Sequence, residues 1–174
     1  MKEYNILIAG SGGQGVQTIG KLMTEIGMEN GFEVSFIPSY GPEMRGGTSN
    51  CGVNISEEPI ASPLVVTPTD LVALNLPSLD KFELSVVPGG NIIYDSDLVS
   101  REPARTDVNY FAIPFTSLAE KLGVRANMLV SGKLLGVTGL CAPEGAESTI
   151  RALTAKRPAL FEPNMKALRA GFEL

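Results

Sequence analysis

Two segments combine residue types and spacings that could do chemistry. Gly10, Gly12 and Gly15 satisfy G-x-G-x-x-G directly after the apolar run Ile6-Leu7-Ile8-Ala9, and Gly13 and Gln14 lie inside the loop. A strand feeding such a loop can bring backbone N–H groups and a helix N-terminus up to a phosphate. The same glycines also permit a tight strand-to-helix turn that binds nothing, so both readings stand. The second segment runs Tyr40-Gly-Pro-Glu-Met-Arg-Gly-Gly-Thr-Ser-Asn-Cys51. It gathers a phenol, a carboxylate and a guanidinium in Tyr40, Glu43 and Arg45, then Gly46 and Gly47, where backbone can approach a ligand or another chain. A Glu43–Arg45 ion pair that merely fixes the loop is the plainer alternative.

Other chemistry is excluded by what the chain lacks. It has no histidine, which removes the commonest general base, the Ser-His and Cys-His nucleophile pairs and the commonest metal ligand. Its two cysteines, Cys51 and Cys141, are far apart and form no C-x-x-C cluster, so neither a zinc nor an iron–sulfur ligand set is present. Cys51 reads as a small buried hydrophobe. No residue is assigned a catalytic or metal-binding role. A nicotinamide or flavin dinucleotide site also expects an acidic residue at the end of the second strand, but that strand ends Ile37-Pro-Ser-Tyr40. Dinucleotide binding is therefore the minority reading.

The elements that must position these loops follow from periodicity. Residues 4–9 form a buried strand, and apolar residues at 16, 19, 22, 23 and 26 give residues 14–30 the spacing of an amphipathic helix that Gly31 stops. Residues 32–37 complete a βαβ unit whose strands are expected to be parallel. Residues 49–56 and the proline-containing 58–68 suggest a hairpin or an edge pair. Further strands are expected at 70–75, 91–94 and 108–113, with a short helix opening at Pro77. Residues 126–140 are apolar on nearly every side, as in a helix buried between layers or subunits, and helices follow over 143–153 and 164–171. The resulting expectation is a single α/β domain spanning 1–174. It is a three-layer α/β/α arrangement with a Rossmann-like start and a mixed, mostly parallel sheet.

A chain of 174 residues can bury a core without disulfides. With 44% hydrophobic and 19% charged residues it is compatible with a face covered by partner subunits. The formal net charge of −5 and the lack of any basic run argue against nucleic acid. Neither a signal peptide nor a membrane span is legible, so a soluble cytoplasmic protein is expected.

Ile8-Ala-Gly-Ser-Gly-Gly-Gln-Gly-Val16, Tyr40-Gly-Pro-Glu-Met-Arg-Gly-Gly-Thr48, Leu74-Asn-Leu-Pro-Ser-Leu-Asp-Lys-Phe82, Pro88-Gly-Gly90 and Ala126-Asn-Met128 together resemble the gamma subunit of 2-oxoacid:ferredoxin oxidoreductases, most of all the 2-oxoglutarate branch. The likeness runs in order from Ile6 to Gly171. It implies an assembly that decarboxylates a 2-oxoacid on thiamine diphosphate and magnesium, passes electrons through iron–sulfur clusters to ferredoxin, and releases an acyl-CoA. Alpha and beta subunits, with a small ferredoxin-like subunit in some members, would hold those centres. This chain would be structural; two roles stay open for its loops, the Gly12 to Gly15 N–H groups and Arg45 meeting a phosphate of CoA, or both loops only docking against the alpha and beta subunits. A free-standing module for NAD or FAD is the alternative. Asn75 and Asn127 resemble family positions at a strand end and a helix start, where capping is at least as good an account.

Overall fold

A computed structural model describes residues 2–39 and 49–174. The apolar run after the N-terminus forms β1 (Glu3–Gly10), and the periodic segment after the glycine loop forms α1 (Val16–Glu29), whose buried face is Val16, Ile19, Leu22, Met23 and Ile26. Next come β2 (Glu33–Ser39), β3 (Ser49–Ser56), β4 (Asp70–Ala73), α2 (Leu76–Phe82), β5 (Asn91–Asp95) and β6 (Asn109–Ile113). The last third holds α3 (Phe115–Leu122), α4 (Ala126–Thr138), α5 (Glu147–Leu153) and α6 (Phe161–Glu173).

The six strands lie in the order β2-β3-β1-β4-β5-β6. Pairings β1–β4, β4–β5 and β5–β6 are parallel, whereas β3 runs antiparallel to both β1 and β2. The sheet is thus mixed, as its sequence implies, but β1 and β2 are not neighbours. β3 enters between them with Ile6 opposite Val53 and Phe36 also opposite Val53. Residues 49–56 are therefore a central strand and not an edge, because all but Asn50 of β3 is buried and both its margins are hydrogen-bonded. The antiparallel partner expected within 58–68 does not form. That stretch instead crosses the sheet, and the Asn54 amide donates to the Pro63 carbonyl at 2.9 Å.

Two apolar layers enclose the sheet. One combines Ile6, Ile8, Val53, Val72 and Ile93 with α1, α3, α4, α5 and α6; the smaller sets Leu7, Leu71, Ile92 and Tyr94 against α2 and the chain near Val86 and Val99. Helix α4 is apolar on nearly every side, with Ser131 and Lys133 the exceptions in its buried stretch, and it is enclosed, with Met128 to Leu135 buried throughout. Its glycines serve contact with α6. A Cβ at Gly132 would stand 2.0 Å from the Leu168 carbonyl oxygen, and one at Gly171 would stand 2.0 Å from that of Leu129. The two helices cross backbone against backbone, which only residues without a side chain allow.

Candidate functional site

Parallel strands β1, β4 and β5 end on the same side, where open α/β sheets receive ligands. A cleft of about 320 Å³ lies there, lined by Gly13, Gln14, Gly15, Leu74, Asp95, Phe115, Thr116, Arg125, Ala126, Asn127 and Val130. Of the loop residues named from sequence, Gly13, Gln14 and Gly15 face it; Gly10 is buried at the end of β1 and Gly12 is exposed. Tyr40, Glu43, Arg45, Gly46 and Gly47 lie outside the described residues.

The loop holds its shape through Gln14. Its carboxamide oxygen accepts from the Ser11 N–H at 2.7 Å and the Ser11 hydroxyl at 3.0 Å, while its NH₂ donates to the Leu74 carbonyl at 2.8 Å. The side chain proposed from sequence as a ligand contact is thus engaged as a clasp between the loop and the end of β4. Gly15 then starts α1 in the left-handed region at φ 80°, packed against Asn127; a Cβ there would approach Asn127 Nδ2 to 2.9 Å.

Two helix N-termini open onto the cleft. Helix α1 has neither a side-chain cap nor an acidic residue in its first turn, and the N–H groups of Val16, Gln17 and Thr18 find no partner among the described residues. Helix α4 begins after Arg125, again without a side-chain cap or an early acid. Unsatisfied first-turn N–H groups and the positive end of the helix dipole both favour an anion. Arg125 is exposed and takes part in no ion pair among the described residues. Asn127 keeps its Oδ1 buried and without a hydrogen-bond partner, a cost that a donor on a ligand would relieve.

The far wall is different. Buried Asp95, at the end of β5, accepts from the Thr116 hydroxyl at 2.6 Å and the Asp97 N–H at 3.0 Å. Asp97 in turn accepts from the Ser117 N–H at 2.7 Å, so the start of α3 is already occupied by a carboxylate. The cleft therefore pairs an anion-receptive wall of α1 and α4 with a wall carrying a fixed carboxylate. Neither Arg125 nor Asp95 was singled out from sequence. A lone arginine immediately ahead of a largely apolar helix is the signal that could have revealed the first; for Asp95, only the convergence of the strand ends supplies one.

Asn75, in contrast, is a cap: its Oδ1 accepts from the Ser78 N–H at 2.9 Å and starts α2. Cys51 is fully buried against Gly20, and burial pushes its thiol up to about 12, which makes it inert at neutral pH. The displacement of β2 also bears on dinucleotide binding. A ribose-binding carboxylate acts from the strand next to β1, and here that place belongs to β3.

Fold and cleft together define an α/β protein built around a glycine loop, with an anion-receptive cleft at its strand ends and without the dinucleotide strand order. The family model described as pyruvate ferredoxin/flavodoxin oxidoreductase matches residues 5–174, and the chain belongs to that family. It is 41% identical over 98% of its length to ketoisovalerate oxidoreductase subunit VorA of Methanothermobacter thermautotrophicus, of which it covers 36%. It is 35% identical over 97% of its length to 2-oxoglutarate synthase subunit KorC of Methanocaldococcus jannaschii, covering 92% of that protein. The chain thus spans about a third of the VorA relative and nearly all of the KorC one. Among solved structures, the gamma subunit of the keto/oxoacid ferredoxin oxidoreductase from Geobacter sulfurreducens is similar, with a TM-score of 0.81 and 32% identity over 98% of this chain and 96% of that one.

Proposed function

We propose that this chain is the gamma subunit of a 2-oxoacid:ferredoxin oxidoreductase and that, as one domain, it presents its cleft to a phosphate of CoA. The observation that carries this reading is the meeting of two uncapped helix N-termini, Arg125 and the unpartnered Asn127 Oδ1 around one cleft. An anionic ligand with hydrogen-bond donors suits those groups, and CoA carries both phosphates and amide and hydroxyl donors. Arg45, seven positions beyond Pro38 of β2, would add a second cation.

Decarboxylation and electron transfer would be supplied by thiamine diphosphate, magnesium and iron–sulfur clusters held by alpha and beta subunits, with a small ferredoxin-like subunit in some assemblies and ferredoxin as acceptor. This chain would hold the cofactor's anionic part, exclude water from it and dock to the partners, working in the cytoplasm. The substrate proposed is 2-oxoglutarate, supported by the end-to-end likeness to a KorC subunit. A branched-chain oxoacid is the second reading, favoured by the 41% identity to VorA.

Co-expression with candidate partner subunits tests the proposal. The complex should reduce viologen dependent on both CoA and a 2-oxoacid, and a comparison of 2-oxoglutarate, pyruvate and 3-methyl-2-oxobutanoate identifies the substrate. Arg125→Gln and Arg45→Ala should each raise the apparent KM for CoA about 10- to 100-fold, the loss expected for one charge-assisted hydrogen bond. An unchanged KM for CoA in an intact complex would refute the ligand role of that arginine.

A further inference from the structure

The margin of the sheet at β6 is open and unguarded. Its sequence, Asn-Tyr-Phe-Ala-Ile, has neither a charge nor a proline, whereas the opposite edge, β2, carries Glu33 and Pro38. Natural edge strands use such residues to deter a neighbour. The parity of the β6 ladder is set at its two ends, where the Asn109 N–H donates to the Gly90 carbonyl at 2.8 Å and the Ser96 N–H donates to that of Ile113 at 2.9 Å. Asn109, Phe111 and Ile113 thus turn their main-chain groups toward β5, and those of Tyr110 and Ala112 point away from the sheet. Among the described residues nothing bonds to those outward groups.

A second, independent feature lies at the same margin. Lys133 of α4 is only 9% exposed, and its ammonium sits 4.6 Å from the centroid of the Phe111 ring. It has no carboxylate partner among the described residues. The Lys133 stem is enclosed while its ammonium keeps some access to solvent, and a ring face replaces only part of the hydration it gives up, so an anion can still be added there. The open edge and the unpaired cation share Phe111.

We propose that β6 receives an extended segment of a partner subunit as an added strand, and that this segment places a carboxylate beside Phe111 against Lys133. This rests on the reading of the chain as a subunit. Main-chain hydrogen bonds to Tyr110 and Ala112 hold the segment, and the ion pair selects its register. A second copy of this chain does not suit the site. Twofold pairing of β6 with itself would bring two Lys133 ammonium groups together on one side of the sheet.

Amide hydrogen exchange on the isolated chain and on the assembled complex tests this. The Tyr110 and Ala112 amides should slow by at least about tenfold on assembly, while Phe111 and Ile113 are protected in both states. Ala112→Pro removes an outward donor without touching the β5 ladder, and Lys133→Met keeps the bulk while removing the charge. Each should weaken assembly by about tenfold or more with an unchanged circular dichroism spectrum, and Lys133→Arg should retain it. A complex in which the two amides exchange as in the isolated chain overturns the added strand and leaves the subunit reading intact. Protection that appears in the isolated chain as its concentration rises overturns the proposed occupant in favour of self-pairing. If no complex forms, the subunit reading falls and this inference falls with it.

Discussion

Gly12→Ala separates a ligand-binding glycine loop from a mere turn. A Cβ built at Gly12 meets no atom of the described residues within 4 Å, and its φ lies outside the left-handed region. Against the described residues the folded chain therefore loses nothing by the change, and the reduced freedom of the unfolded chain favours it by about 0.4–1 kcal/mol. Gly15→Ala is the contrasting control. At φ 80° an alanine incurs about 1–2 kcal/mol of left-handed strain, and its Cβ would press Asn127 at 2.9–3.0 Å. A turn-only loop thus predicts that Gly12→Ala is silent and Gly15→Ala harmful. If a phosphate held in the cleft beside Gly13 also reaches the exposed backbone of Gly12 at its rim, a methyl at Gly12 must weaken CoA binding although the described residues leave room for it. We expect a loss of about tenfold or more, equivalent to about 1.4 kcal/mol, with an unaltered or slightly raised melting temperature. Calorimetric titration of CoA into the assembled complex, alongside thermal melts, reads both quantities. Wild-type CoA affinity in the Gly12→Ala complex would refute the argument, as would a lowered melting temperature.

Three further outcomes follow from the packing. Gly171→Ala, whose Cβ would lie 2.0 Å from the Leu129 carbonyl oxygen, must push α6 off α4 and should destabilise by about 3 kcal/mol or more in chemical denaturation. Asp70 is buried, and burial pushes its carboxyl above the usual range against the hydrogen bonds from Asn91 and Thr69. A raised folded-state value means its stabilising contribution is full at low pH and is lost as pH rises through that value, so Asp70→Asn should raise the melting temperature at pH 7 and have little effect near pH 3. Iodoacetamide at pH 8 should label half-buried Cys141 before Cys51, whose thiol lies near 12, and label Cys51 only on unfolding; peptide mass spectrometry of quenched samples distinguishes the two.

By itself the sequence determined the elements and the loop. Periodicity placed α1 and the buried strands, the apolar run over 126–140 announced an enclosed helix, and G-x-G-x-x-G marked the turn at the sheet's carboxyl end. These are local properties, readable because one helix face or one glycine spacing is contained within a short stretch of chain. Only the tertiary structure decided that β3 stands between β1 and β2, because a strand buried on both faces looks alike at an edge or at the centre until its neighbours are known. Gln14 turned from a ligand contact into a clasp because its acceptor, the Leu74 carbonyl, is brought to it by the parallel pairing of β1 with β4. Arg125 and Asn127 joined the site for the same reason. They are remote from Gly15 in sequence, and the docking of α4 on the sheet sets the second uncapped N-terminus beside the first. A cleft formed where separate elements end has no sequence spacing of its own, since the residues that share it are neighbours only after the core has closed.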